Sequence, residues 1–276
     1  MIGRIGVCSW SLEPDRPEDL VEKIASVGVR GVQLALDPIR TGAWPLQATR
    51  RALAEGGIEI LSGMMATSGE DYATLETIRR TGGVRPDATW AENLAAAEAN
   101  AGIASELGIR LVTFHAGFIP HERDDPERAT LIDRLAQIIR IFAARGVSVG
   151  FETGQETAST LLEVLAELPG AAVNFDPANM ILYGMGDPSQ AIRRLASRII
   201  QAHVKDALPS AEPGTWGTEV PVGTGAVDWQ AFFEVIAACE RSIDLLIERE
   251  AGQDRLSDIR TARSLIEAHT NSGAGR

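Results

Sequence analysis

Four residues in the second half of the chain combine chemically active types with suggestive positions. Glu152 ends the apolar run 147–152, Asp176 ends 171–176, His203 sits near the end of 199–205, and Glu248 ends 243–248. Each polar group directly follows residues whose composition marks them for burial. Three carboxylates and an imidazole brought to one point form an O,O,N,O set that suits one divalent metal ion, Mn²⁺, Mg²⁺, Co²⁺ or Zn²⁺. Without a cation the same groups would repel one another or shift their protonation. Taken singly, each acid has a plainer reading, as a helix cap or the partner of a surface base, and Asp176-Pro177 reads as turn chemistry. The weight lies in four such ends occurring in succession.

Positioning them requires consecutive strands. Short β-rich runs recur at 2–9, 31–36, 58–64, 110–115, 147–152, 171–176, 199–205 and 243–248. Val147-Ser148-Val149-Gly150-Phe151 is apolar almost throughout, as expected of a strand covered on both faces. Helical stretches lie between them, among them 17–27, 89–107, 126–144 and 228–241. In the third, Leu131, Leu135, Ile138 and Ile139 recur at the spacing of one helix face. Eight strand–helix units of about 32 residues each predict an α/β fold, a single-domain (β/α)8 TIM barrel over residues 1–270. An open doubly wound sheet would place a glycine fingerprint after the first strand, and Cys8-Ser9-Trp10-Ser11-Leu12 is unlike one. The turn-rich stretch 66–87 is expected to form a loop over the barrel mouth with an interrupted helix around 72–80. Residues 271–276 are expected to be a flexible tail.

Composition narrows the function. With 38 acidic against 26 basic residues, the net charge of −12 disfavours binding to nucleic acid or to an anionic membrane surface. Two scattered cysteines, Cys8 and Cys239, fit a reduced protein, and the N-terminus lacks the charged and apolar regions of a signal peptide. No apolar stretch approaches the roughly 18 residues of a membrane span. A cytoplasmic location is expected.

The chain resembles the xylose isomerase-like barrel family of sugar (phosphate) isomerases and epimerases, which also contains inosose dehydratases and an abasic-site endonuclease branch. The resemblance rests on Gly-Val-Gln-Leu (31–34), His115-Ala-Gly, Gly-Phe-Glu152-Thr and Asn-Phe-Asp176-Pro-Ala-Asn179. It continues through Gln201-Ala-His203-Val-Lys205-Asp206, a Pro-x-Gly-x-Gly-x-x-Asp-Trp segment ending at Trp229, and Glu248-Arg-Glu250. It implies Glu152, Asp176, His203 and Glu248 as metal ligands, with Glu152 and Glu248 also exchanging substrate protons. A metal-dependent isomerase or epimerase of a small sugar, keto-sugar or cyclitol follows, with a carbohydrate substrate. A lyase, dehydrating or eliminating on a 3-keto glycoside, is the alternative on the same constellation. An abasic-site endonuclease would need more than the four histidines present and a basic face, and a barrel subunit without activity is the non-catalytic reading. Dimers and tetramers are common in this family, which leaves a homo-oligomer open. Two departures touch the epimerase reading: Asn179 stands where several epimerases carry histidine, and Pro209 and Ser210 lie where many carry arginine.

Further residues have weaker signals. His115 is expected at the cavity wall as a substrate contact or second-metal ligand, the alternative being a buried histidine bonded to a carbonyl. Asn179 and Glu156 are further substrate-binding candidates. Lys205 has His203's strand parity and would steady an oxyanion or phosphate, unless a neighbouring acid pairs with it. Trp10, Trp90 and Trp216 are candidates for stacking on a sugar face, and Trp229 for the core. Gly223-Thr224-Gly225 has the look of a phosphate cradle. Gln33 reads as a satisfied polar core residue, with reach into the cavity from the second strand as its alternative; Glu250 reads as an alternative to Glu248, His121 as solvated or else as covering the site, and His269 as without a role.

Overall fold

The computed structural model describes residues 2–273, with side chains through Thr270. Eight parallel strands close a barrel: β1 (Ile2–Cys8), β2 (Gly31–Ala35), β3 (Glu59–Met64), β4 (Leu111–Phe114), β5 (Ser148–Glu152), β6 (Ala171–Phe175), β7 (Ile199–Val204) and β10 (Ile243–Ile247). Sequence neighbours pair throughout, and β1 closes the ring against β10. Two three-residue strands, β8 (Asp206–Leu208) and β9 (Thr218–Val220), form an antiparallel ribbon outside the barrel. The fold is the expected (β/α)8 TIM barrel, and each of the eight runs contains a barrel strand.

Local chemistry explains the element boundaries. The helix Pro17–Val27 begins with proline at its first position and ends at Gly28, whose φ is +75°. Thr157 and Asp228 accept hydrogen bonds from the backbone N–H groups of Thr160 and Ala231, capping the helices Ala158–Glu167 and Trp229–Ala238. The 66–87 stretch contains the helix Leu75–Thr81, capped reciprocally by Thr74 and Thr77. Gly83 crosses the chain leaving β4 so closely that a Cβ there would lie 2.2 Å from the Ala116 carbonyl oxygen, at a φ of +68°. That crossing pins the loop against the mouth. The last helix, Arg255–Gly273, runs into the expected tail, and residues 274–276 lie outside the described residues.

The interior of the barrel is partly polar. Glu152 pairs in register with Asn174, and Asn174 with Gln201, while His203 lies level with Leu246. Because side chains alternate along a strand, Asn174 and Asp176 both point inward, as do Gln201, His203 and Lys205. All of them are buried, together with Cys8, Gln33, Ser62 and Thr113. No helix among the described residues is long and apolar enough to cross a membrane.

Candidate metal centre and cleft

His203 stands at the centre of the site. Its Nδ1 lies 3.4 Å from Glu152 Oε1, 3.4 Å from Asp176 Oδ2 and 3.3 Å from Glu248 Oε2. One atom from each of these residues lies within 4.8 Å of all the others, and all four residues are buried. Donors held at about 2.1 Å from a common cation are separated by roughly 3.0–3.4 Å, so the spacing around Nδ1 matches a ligand shell. The four groups expected from the strand ends therefore converge.

The opposite nitrogen shows how the imidazole is oriented. Nε2 lies 2.7 Å from Gln33 Oε1. The Gln33 amide nitrogen donates to Thr113 Oγ1 at 2.7 Å, and that hydroxyl donates to Met64 Sδ at 3.1 Å. With its amide nitrogen bonded to Thr113, Gln33 presents its carbonyl to Nε2, the Asn174 amide nitrogen lies 3.0 Å from the same atom, and Nδ1 turns toward the carboxylates. Gln33 is thus more than a satisfied core residue: it orients a central group, a role its sequence signal, one polar residue in an apolar strand, did not distinguish. Asn174 was also missed. It donates to Glu152 Oε2 at 3.2 Å and accepts from Gln201 at 3.1 Å.

Each carboxylate has its own supports. Asp176 Oδ1 caps the helix Pro177–Leu182 by accepting from Asn179 N–H at 2.9 Å, while Oδ2 faces His203. The turn reading and the ligand reading both hold, one for each oxygen. Glu152 Oε1 accepts from the Asn179 amide at 2.8 Å and lies 3.4 Å from His115 Nε2. Glu248 Oε1 accepts from Trp10 Nε1 at 2.7 Å, and Oε2 accepts from Lys205 at 3.0 Å. Burial alone would raise the pKa of Glu248; the charges of Lys205 and His203 overcome it and hold the carboxyl well below its ordinary range. For Glu152 burial is likewise outweighed, by His203 and His115. Burial pushes Asp176 up to about 6. His203 is held well above an ordinary imidazole, because Glu152 and Glu248 outweigh its burial. One buried imidazole opposite three carboxylates is a donor set that fits a divalent cation. Cys8, His203 and Glu248 form a second group with ligand-like spacing, but burial pushes the Cys8 thiol up to about 12, and it faces the nitrogen already engaged by Gln33.

Glu248 opens onto a cleft of about 460 Å³, also lined by Trp10, Met64, Glu70, Tyr72, His115 and Asn179, and His115 and Asn179 link that lining to Glu152. His115 makes no hydrogen bond to a neighbouring carbonyl; its Nδ1 is buried without a partner, while Nε2 turns to Glu152. Lys205 is paired with acids, as the alternative reading had it. Its ammonium donates to Glu248, to Glu250 at 2.6 Å and to the Asn179 carbonyl oxygen at 3.3 Å. Glu250 thereby serves Lys205 and stands outside the ring. Glu156 is buried with Oε1 unpartnered, is pushed up to about 8 by burial, and is not among the residues lining the cleft. Of the three tryptophans expected to meet sugar, Trp10 lines the cleft and Trp216 stands one layer back against Tyr72 and Tyr183. Trp90 packs beneath the Arg134 guanidinium instead. His121 bonds to Thr160, and His269 stacks on Phe233.

The phosphate cradle expected at 223–225 is corrected by the structure. The N–H groups of Gly223 and Gly225 and the Trp229 indole donate to Asp206 Oδ2, and those of Ala207 and Val227 donate to Oδ1. A Cβ on Gly225 would lie 2.1 Å from Asp206 Oδ1. Those donors are spent on an internal anion.

An eight-stranded barrel with a buried carboxylate–imidazole ring at the C-terminal strand ends is the architecture of barrel enzymes that work at that face. The chain belongs to the xylose isomerase-like TIM barrel family, whose model matches residues 21–269. It is similar to a xylose isomerase domain protein from Planctomyces limnophilus, with 32% identity, a TM-score of 0.86, and coverage of 93% of this chain and 94% of that one. An L-ribulose 3-epimerase structure shares the fold at 17% identity and a TM-score of 0.76, with 98% and 95% coverage. A curated relative, the 3-oxo-isoapionate decarboxylase of Pectobacterium atrosepticum, is 26% identical over 183 residues, which span 62% of this chain and 65% of the relative.

Proposed function

We propose that the protein is a divalent-metal-dependent isomerase or epimerase of a small sugar, keto-sugar or cyclitol, in which Glu152 and Glu248 exchange the proton next to a carbonyl. The observation that carries this reading is the His203 Nδ1 atom 3.3–3.4 Å from three carboxylates, one of which, Glu248, lines an open cleft. Glu152, Asp176, His203 and Glu248 would hold the cation. When bound, a divalent cation polarises a substrate carbonyl and hydroxyl and so acidifies the C–H between them.

The residues supply the rest. Glu152 and Glu248 are both held as carboxylates, so each is ready to accept a proton, and their depressed pKa values restrict them to an acidified one. They are fixed by different partners, Asn174 and Asn179 for the first and Trp10 and Lys205 for the second. Two separately positioned carboxylates permit removal of a proton by one and return by the other. Asn179 holds Glu152 through its amide and Lys205 through its carbonyl, a bridging role that asparagine fills without transferring a proton.

A lyase is the second reading, favoured by the similarity to a decarboxylase. Both reactions generate negative charge next to a carbonyl. Incubating Mn²⁺-loaded protein with ketoses, inososes and 3-keto glycosides in D₂O separates them. An isomerase or epimerase incorporates deuterium beside the carbonyl and retains every heavy atom, whereas a lyase loses water, carbon dioxide or a leaving group. Incorporation by none of the three classes would defeat the proposal.

A further inference from the structure

We propose that the cleft selects an uncharged polyhydroxy ketone and turns away its anionic counterparts, phosphate esters and sugar acids, with Glu70 and Glu250 setting the discrimination. The inference rests on the reading of the site given above and specifies the class of carbohydrate.

Three features of the cleft carry it. First, Asp37, Glu70, Glu248 and Glu250 all line the cavity, and among the described residues no lysine or arginine does. Asp37 is offset by Arg40 at 2.8 Å. Three ring carboxylates against a divalent cation leave one net negative charge, Lys205 and Glu250 cancel, and Glu70 adds a second negative charge. An incoming anion meets a field of its own sign even when the cation is in place.

Second, the groups that could have received an anion are committed. Lys205 has three N–H donors and three acceptors within hydrogen-bond reach, two of them carboxylates, and is 3% exposed. The glycine N–H groups at 223 and 225 close on Asp206. Phosphate recognition normally uses one or both kinds of donor, backbone amides or a free cationic side chain.

Third, the remaining surface suits hydroxyl groups and C–H faces. Glu70 is anchored by the Gly83 N–H at 3.0 Å and the Tyr72 hydroxyl at 3.1 Å, so its carboxylate is fixed on the cleft wall as an acceptor. Sugar hydroxyls donate to such a group; a phosphate or carboxylate presents only more acceptors. Tyr72 stacks on Trp216 with ring centroids 6.5 Å apart, and Tyr183 meets Trp216 edge-on at 4.8 Å, giving an aromatic wall beside the acids.

The test uses matched pairs on the Mn²⁺-loaded protein: D-fructose with D-fructose 6-phosphate, D-ribulose with D-ribulose 5-phosphate, and D-fructose with 5-keto-D-gluconate. Deuterium incorporation beside the carbonyl and calorimetric binding are both read. The neutral member should lead by about a hundredfold in each pair, the scale of a like-charge juxtaposition in a partly desolvated site. Glu70→Gln should shrink that ratio by about tenfold through better acceptance of the anion, and raising the salt concentration should shrink it for the wild type. An anionic member that matches or beats its neutral partner overturns the proposal. An unchanged ratio in both Glu70→Gln and Glu250→Gln removes the two glutamates from it. If no compound exchanges deuterium, the isomerase reading falls, while the calorimetric ranking of the pairs still decides the charge preference.

Discussion

Strands β5, β6, β7 and β10 bring Glu152, Asp176, His203 and Glu248 to the barrel mouth, while β1 to β4 bring Cys8, Gln33, Ser62 and Thr113, all neutral and all buried. One half of the mouth concentrates charge; the other supplies a hydrogen-bonded relay, from His203 through Gln33 to Thr113 and Met64, that fixes the imidazole's orientation. The same contrast separates two aspartates near neighbouring strand ends. Asp206 accepts five N–H donors and makes a loop; Asp176 spends one oxygen on a helix cap and leaves the other facing His203. The two aspartates differ in where the fold commits their oxygens, one wholly to backbone and indole donors of a loop, the other to a helix cap and an imidazole.

The harshest test of that contrast is Glu152→Gln. The amide keeps the shape and can accept from one of the two asparagine donors, Asn174 or Asn179, but it cannot accept a proton. We expect deuterium exchange into the true substrate to fall about 10²- to 10⁴-fold with the fold intact by circular dichroism. Undiminished turnover would end the role of Glu152 as a base.

Asp206→Ala tests the structural member of the pair. Five donors lose a common acceptor, and those from Ala207, Val227 and the Trp229 indole are buried. The expected cost is about 3 kcal/mol in urea denaturation, since several donors will recover water. A loss below about 1 kcal/mol would mean that the 221–229 turn holds itself together without the aspartate.

Much of this was legible in the sequence because burial on both faces writes itself as continuous apolar runs. Each of the eight barrel strands lies within one such run, and the polar residue ending each of the last four runs was conspicuous against that background. The β8–β9 ribbon was not legible, since three residues are too few to show a period. Gln33 and Asn174 were hidden for a different reason. A buried amide is recognisable in sequence as polar, but which of its atoms is committed depends on Thr113 and Gln201, partners 80 and 27 residues away. The glycines at 223 and 225 misled in the same way: their N–H groups were visible and the carboxylate that consumes them was not.

Gln33→Leu probes the neutral half directly. Removing the carbonyl that faces Nε2 releases the imidazole to turn or change tautomer, so Mn²⁺ affinity by calorimetry should weaken about 10- to 100-fold while the apo protein stays folded. An unchanged affinity would show that packing and Asn174, 3.0 Å from Nε2, orient His203 without Gln33.

The mildest test concerns Glu156, a buried acid on the charged side of the barrel with Oε1 unpartnered. The ring carboxylates Glu152 and Glu248 keep their charge because His203 and Lys205 balance them; for Glu156 burial acts alone and pushes the pKa from 4.5 to about 8. Between those values the native state binds a proton that the unfolded chain releases, so the unfolded state gains on the native one as pH rises. The contribution is intact below pH 4.5, declines by about 1.4 kcal/mol per pH unit through the interval, and levels off above pH 8. Glu156→Gln carries no titrating proton, so subtracting its urea-denaturation stability from that of the wild type at pH 5, 6, 7 and 8 isolates the term. The difference should fall steadily across the series, with the variant gaining on the wild type. Parallel curves would mean that Glu156 is ionised in the native protein and balanced by a positive charge, which would place it with the ring acids.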